Sequence, residues 1–336
     1  MKSLPLVSVL VPVFNGDRYL DEALRCAQRQ TYRNLEIIVR DDGSDDDSGL
    51  VAESFCSRDS RFTYIPGGTR RLGGTGNMVE LLGLASGEFV KFLHQDDRLE
   101  PACVERLVRP LRFDDSLTMA TSSRYRIDAA GNTTPTAPVA YQPLQAGNGK
   151  LAGADMVRRM VTTLTNQLGE PSVALFRNGV VAPEHAFVLD EITYSYLNDV
   201  ALWTNLLLAG DLYWHALPLS SFRSHESQRS AQLSESVTLA AELAAYLRFG
   251  VTHHFIHTEA ELQRGARQVT EFLHRIHPVV SSALPIEQAE LSAGLALAIA
   301  RVQALLASGD GSELLGGPGP STSTAGASVD RSSECV

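Results

Sequence analysis

Two adjacent carboxylates close the stretch Phe89-Val90-Lys91-Phe92-Leu93-His94-Gln95-Asp96-Asp97. Neighbouring ionised acids repel each other unless a cation neutralises them, and hard oxygen donors of this kind suit Mg2+ or Mn2+. The stretch predicts either an oxygen-ligand metal site holding a phosphate-bearing substrate or a solvated strand-to-turn connection. A second acidic turn, Asp41-Asp42-Gly43-Ser44-Asp45-Asp46-Asp47, follows the apolar run from Leu35 to Arg40. Asp42 in that turn could accept hydrogen bonds from a base or ribose; the same acids equally suit a helix N-terminus. Asp199 lies in Leu197-Asn198-Asp199-Val200-Ala201-Leu202-Trp203. A carboxylate at a helix start, backed by an apolar face, can have its pKa raised by partial burial into the range of a general base; the alternative is an ordinary helix-capping acid. Arg70 and Arg71, within the glycine-rich run Gly67 to Gly74, either meet a diphosphate or line a solvated loop. His94 and His225 are further candidate ligands or phosphate contacts, and the remaining seven histidines form no metal-binding pattern. No Ser/His/Asp order, P-loop or dinucleotide-binding fingerprint is present.

Such groups need a frame. Apolar, β-branched runs predict strands at 6–13, 35–40, 62–65, 89–93, 117–125, 173–177 and 212–219. Helical spacing predicts helices over 17–30, up to about 56, and over 77–85, 101–112, 152–164 and 198–208. Strand and helix alternate through residue 125. That order implies an α/β fold with a mostly parallel central sheet and helices on both faces. In such sheets ligands gather beyond the carboxyl ends of the strands, where both acidic turns fall. Residues 128–149 are rich in Thr, Pro, Ala and Gly and read as a long loop or lid. Helical pattern resumes over 231–250, 258–276 and 286–307, a C-terminal helical extension. From residue 309 the composition collapses to Gly, Ser, Thr and Pro, the signature of a disordered tail. The expected organisation is therefore one domain over 1–230, divided into 1–112 and 113–230, a helical region over 231–308 and a tail over 309–336.

The chain has 336 residues, 44% hydrophobic and 20% charged, as in an ordinary globular protein with ample core. Its net charge of −10 argues against nucleic acid as a partner, though not against a nucleotide in a local pocket. Cys26, Cys56, Cys103 and Cys335 show no paired spacing, which suits a reducing, cytoplasmic setting. No secretory leader is expected at the start. The longest apolar stretch, Leu291 to Ala307, is interrupted by Arg301 and Gln303 and is shorter than the ~20 residues of a membrane span. Peripheral association with the inner face of a membrane, and a homodimer through the C-terminal helices, are both compatible with this pattern.

Taken in order, Pro-Val-Phe-Asn (12–15), Asp-Asp-Gly-Ser (41–44), the Gly-Asn helix start (76–77), Gly87 to Asp97, Asn198 to Trp203 and Phe-Arg-Ser-His (222–225) resemble the family 2 glycosyltransferases of the GT-A fold. The likeness is dense from Val7 to about Leu111, patchy to about Ser230 and absent beyond. The resemblance implies that Pro12, Phe14 and Asn15 line a base pocket, that Asp42 accepts from the uracil or other base, and that Arg71 and Asn77 sit near the ribose and diphosphate. The family's Asp-x-Asp-Asp corresponds to His94-Gln95-Asp96-Asp97, with His94 in place of the first acid and His94 and Gln95 on the donor side. It further implies a divalent ion, Mn2+ or Mg2+, held by Asp96 with Asp97 and His225 beside it. Arg223 would close over the diphosphate, Glu170 in Gly169-Glu170-Pro171-Ser172 would contact the acceptor, and Asp199 would be the catalytic base. The implied activity is inverting, metal-dependent transfer from a nucleoside-diphosphate sugar, with a UDP-sugar favoured. Its acceptor would be a hydroxyl on a glycan, lipid-linked sugar or metabolite. The alternatives are a sugar-phosphate nucleotidyltransferase, whose glycine loop follows the first strand rather than the third, and a non-catalytic nucleotide-sugar-binding protein.

Overall fold

The computed structural model describes residues 4–68, 70–134, 144–226, 233–281 and, beyond these, 296, 297, 299–301, 303 and 304. The first part runs β1 (Val7–Val13), α1 (Asp17–Gln28), β2 (Leu35–Asp41), α2 (Ser48–Cys56), β3 (Phe62–Ile65), α3 (Gly73–Leu84), β4 (Phe89–Phe92), a short β5 (Arg98–Leu99), α4 (Cys103–Leu111) and β6 (Leu117–Ile127). There follow β7 (Gly149–Leu151), α5 (Gly153–Thr163), a 3-10 turn at Pro171–Val173, β8 (Leu175–Arg177), β9 (Val188–Leu189), β10 (Ile192–Thr193), α6 (Asn198–Ala209) and β11 (Asp211–Arg223). Two long helices, α7 (Leu233–Thr252) and α8 (Glu259–Ser281), come last.

One sheet has the order β3-β2-β1-β4-β8-β6-β11-β5, with β7 also paired to β11. β3, β2, β1 and β4 run parallel, as do β6 and β11. β8 lies antiparallel between β4 and β6. It leaves the 3-10 turn at the ligand end of the sheet and therefore runs back from it. β1 reads as a near-continuous apolar run because helices cover both of its faces. Val7, Val9, Val11 and Val13 pack with α1 and α4, while Leu10 joins Ile38, Val90 and Phe92 in a second core under α3, α5 and α6.

Two expectations shift. α3 begins at Gly73, four residues before the expected Asn77, so the last glycines of the supposed phosphate loop are helical. The cause is remote: Asp42 accepts the N–H groups of Leu72 and Gly73, each at 2.8 Å, and so satisfies the first donors of the helix. The C-terminal helices are also more than an extension. Val237 and Leu247 of α7 and Leu262 and Val269 of α8 share one core with Met160 of α5 and Trp203 of α6. The expected tail and most of the expected helix over 286–307 lie outside the described residues, as do 135–143 of the expected loop. Among the described residues no helix is long and apolar enough to cross a membrane.

Candidate active site

The turn after β1 is clamped between the tips of β2 and β4. Asn15 adopts φ +47°, a left-handed conformation that asparagine tolerates. Its N–H donates to Ser44 Oγ at 2.9 Å and its Oδ1 accepts from Asp45 N–H at 3.1 Å. Gln95 takes the N–H of Phe14 at 2.8 Å and donates Nε2 to the Phe14 carbonyl at 3.0 Å. Pro12 stands half-buried beyond Leu10, the last β1 residue paired with β4, where a missing N–H disturbs no ladder. Asn77 is buried; its Oδ1 accepts from Arg40 at 2.9 Å and its Nδ2 donates to the Arg40 carbonyl at 3.1 Å. Asp42 is equally buried, with the guanidinium groups of Arg40 and Arg71 at 3.7 and 3.8 Å. Asn15, Asp42, Asn77 and Gln95, which resemblance assigned to the nucleotide, thus give these polar groups to protein partners and form a wall across the ends of β1, β2 and β4. The surface offered by this wall is aromatic and cationic: the Arg71 guanidinium lies 3.3 Å from the Phe14 ring centroid, and the Arg71 side chain is 56% exposed.

At the tip of β4 the two acids part company. Asp96 reaches outward, with His225 Nε2 2.9 Å from its Oδ2. Asp97 turns inward and is 3% exposed; it accepts the N–H of Arg223 at 3.1 Å. Burial, then the charge of Asp96, pushes its pKa well above the usual carboxylate range. Arg223 is 1% exposed and donates to the carbonyls of Asp96 at 2.8 Å and Asp128 at 3.2 Å, as well as to Glu22 of α1. It ties three chain segments together beside the tip of β4. His94 donates its backbone N–H to Ser172 Oγ at 3.0 Å, while burial pushes the pKa of its ring down. Among the described residues its Nε2 is buried with no hydrogen-bond partner. No cluster of three or more His, Cys, Asp and Glu suited to a metal occurs among the described residues. Asp96 and His225 fit a smaller role, since Mg2+ is commonly held by one or two carboxylates with substrate phosphates and water completing its shell.

The third group of residues surrounds α6. Asp199 accepts Asn166 Nδ2 at Oδ2 and its own helix's Val200 N–H at Oδ1, each at 2.7 Å. Burial and then the charge of Glu170 push its pKa up to about 7. Glu170 is paired with Arg124 of β6, Nε to Oε2 at 2.5 Å and Nη2 to Oε1 at 3.1 Å. Gly169 sits at φ +100°, and a Cβ there would fall 2.2 Å from the Arg124 guanidinium, so the glycine is needed for both conformation and space. Its carbonyl accepts Trp203 Nε1 at 2.9 Å. Lys91, fully buried in β4, donates to the carbonyls of Ser172 at 2.7 Å and Ala174 at 3.3 Å and so holds the 3-10 turn against the sheet. The negative charge of Glu170 bears on His94, Asp97 and Asp199 alike, which places it between the strand tips and α6.

Sequence reasoning missed Arg124, Asn166 and Lys91. Lys91 carries a usable signal: a charged residue inside an otherwise apolar strand is tolerated only when paired or hydrogen-bonded, whereas Arg124 sits among the polar residues of β6. Asn166 carries none, since its amide acts on a residue from another segment.

Residues 8–171 match the family model described as Glycosyl transferase family 2. A GalNAc(5)-diNAcBac-PP-undecaprenol beta-1,3-glucosyltransferase of Campylobacter jejuni is 28% identical over 243 residues, 72% of this chain and 70% of that protein. A chondroitin synthase of Escherichia coli is 31% identical over 132 residues, covering 39% of this chain and 19% of its own length. Among solved structures, Staphylococcus aureus TarS 1–349 in complex with UDP-GlcNAc aligns over 90% of both chains with TM-score 0.54 and 16% identity. The mannosyltransferase PcManGT of Pyrobaculum calidifontis, in complex with GDP-Man and Mn2+, aligns over 94% of this chain and 88% of its own with TM-score 0.54 and 17% identity. At such identities the structural likeness speaks for the fold, and the family match and the curated relatives speak for the activity. Residues 8–171 thus carry a family 2 glycosyltransferase domain, and the chain has the GT-A fold.

Proposed function

We propose that this glycosyltransferase moves a sugar from a nucleoside-diphosphate sugar, a UDP-sugar by preference, to a hydroxyl of a glycan, a lipid-linked saccharide or a metabolite, with inversion. The observation that carries the reading is Asp199, a carboxylate held from two sides whose pKa of about 7 matches proton transfer at neutral pH. Its Oδ accepts the acceptor's proton while the acceptor oxygen bonds to the anomeric carbon and the bond from that carbon to the diphosphate oxygen breaks. One base without an enzyme nucleophile gives one displacement and therefore inversion. Arg124 holds Glu170 in place to meet acceptor hydroxyls, and the stacked Phe14 and Arg71 face the base and diphosphate. Asp96 and His225 are the residues that would hold a divalent ion, whose chemistry is to neutralise charge on the leaving diphosphate. The lipid-linked acceptor in the name of the Campylobacter relative supports an acceptor presented at a membrane surface, and TarS supports a uridine donor.

A screen of nucleotide sugars for slow donor hydrolysis, with and without Mn2+, tests the donor and the metal together. Asp96→Ala should stay folded and lose the Mn2+-dependent part of turnover. Full turnover in that variant, or in wild-type protein stripped by a chelator, removes the ion from the reading. Nuclear magnetic resonance of the fresh product should show the anomeric configuration opposite to that of the donor.

A further inference from the structure

The chain segment that carries the proposed base has no local cap. α6 starts after Leu197, and that residue supplies no side-chain hydrogen bond to the helix start. Leucine at this position leaves the first N–H groups to other partners. Within the helix Asp199 takes the N–H of Val200, and the backbone leading into the helix is held from the C-terminal helices. Glu242 of α7, only 5% exposed, accepts the backbone N–H of Ser195 at 2.7 Å, of Tyr196 at 3.1 Å and of Leu197 at 2.7 Å, and the Ser195 hydroxyl at 3.1 Å. Three successive N–H groups converging on one carboxylate form an anion-binding nest, and here the anion belongs to the protein. One turn further along α7, the Tyr246 hydroxyl lies 2.9 Å from Thr204 Oγ of α6, buried on both sides. On the opposite side the same loop is tied to α3: Thr75 Oγ1 donates to the Ser195 carbonyl at 3.3 Å, and Asn198 Nδ2 donates to Thr75 Oγ1 at 3.1 Å.

We propose that Glu242 is a positioning residue for the glycosyl transfer, acting from the C-terminal helices to set the start of α6 and hence the place of Asp199. The proposal rests on the reading of Asp199 as base. Asp199 is the second residue of α6, two positions from the last amide that Glu242 holds. Its carboxylate has Asn166, Val200, Glu170 and Arg124 around it, all of which depend on where the helix begins. Without the carboxylate of Glu242, three part-buried N–H groups lose this acceptor and the start of α6 loosens. Water then reaches Asp199, relieving the burial that is the first cause of its raised pKa.

The test compares full-length variants by steady-state kinetics across pH. In Glu242→Gln, which keeps size but removes the charge and half the accepting capacity, kcat should fall ~10- to 100-fold, the scale expected of small misplacement. The KM for the donor should stay within about threefold and the acid limb of the kcat profile should move to lower pH. Tyr246→Phe serves as the neutral control: it removes the other buried α6–α7 hydrogen bond and should lower Tm while leaving kcat and the acid limb in place. A folded Glu242→Gln enzyme with wild-type kcat and acid limb overturns the proposal, as does a Tyr246→Phe enzyme equally impaired in kcat. Amide hydrogen exchange in the unaltered chain gives an independent reading: the N–H groups of residues 195–197 should be protected like those of α6, and rapid exchange there also overturns it. Asp199→Asn separates the two claims. If that variant keeps its kcat, the base reading fails; if it is inactive while Glu242→Gln is unimpaired, only the positioning role fails.

Discussion

Asp42 at the tip of β2 and Asp199 at the start of α6 are both buried enough to need two donors, and both have them. Asp42 receives the N–H groups of Leu72 and Gly73 at 2.8 Å; Asp199 receives Asn166 Nδ2 and Val200 N–H at 2.7 Å. What differs is the field beyond the hydrogen bonds. Asp42 has the guanidinium groups of Arg40 and Arg71 within 3.8 Å, whereas Asp199 feels the carboxylate of Glu170, which Arg124 offsets only in part. Surrounding cations favour an ionised acid, and a neighbouring anion with burial favours the protonated one. The first arrangement holds the start of a helix, and the second raises the pKa of Asp199 to about 7. Equal hydrogen bonding conceals opposite chemistry.

The comparison can be broken most forcefully at Asp199. Asp199→Asn keeps the shape and should lower kcat by ~10²–10⁴-fold, the usual contribution of a general base, with donor affinity unchanged by calorimetry. Next in size is Arg124→Gln, which leaves Glu170 without its partner. Breaking a buried pair costs about 3 kcal/mol, to be read from denaturant unfolding. Because Arg124 also holds the pKa of Asp199 down, the acid limb of kcat should rise to higher pH in that variant. Asp42→Asn should act differently from Asp199→Asn. It should destabilise by about 1–3 kcal/mol through the start of α3 and weaken donor binding, with kcat at saturation nearly intact. A loss of kcat at intact donor affinity in Asp42→Asn would erase the distinction between the two acids.

The smallest effect is in stability against pH. Asp199 titrates near 3.9 when unfolded and about 7 when folded. Between those values the folded chain binds a proton that the unfolded chain has released. The stabilising contribution is thus complete below the unfolded pKa and is lost as pH rises through the folded one. The Tm of Asp199→Asn relative to wild type should therefore climb between pH 4 and pH 8. A flat difference across that range would show that Asp199 is not perturbed.

Much of the frame was readable because strand and helix periodicity are local. β3 over Phe62–Ile65 and β1 over Val7–Val13 lie where apolar runs predict them, and α6 starts at Asn198 as the spacing implies. The error at α3 has a remote cause, since Asp42 is 30 residues from Leu72. The same holds for the site. Asp96 and Asp199 stand out as acids at a strand end and a helix start. The partner of Arg223, by contrast, is not legible in the sequence, since Glu22 lies 201 residues away.

From its residues alone the chain determines an alternating α/β frame, the acids at its ligand end and the likeness to family 2 glycosyltransferases. Only the tertiary structure decided which hydrogen-bond donors and which charges surround each of those acids. It also decided that Arg124, Asn166 and Glu242, separated from their partners by 46, 33 and 45 to 47 residues, belong to the same arrangement. The physical reason is that a strand or helix follows from the side chains within a few residues, whereas the state of a carboxylate follows from the donors, charges and water around it, and distant segments supply those.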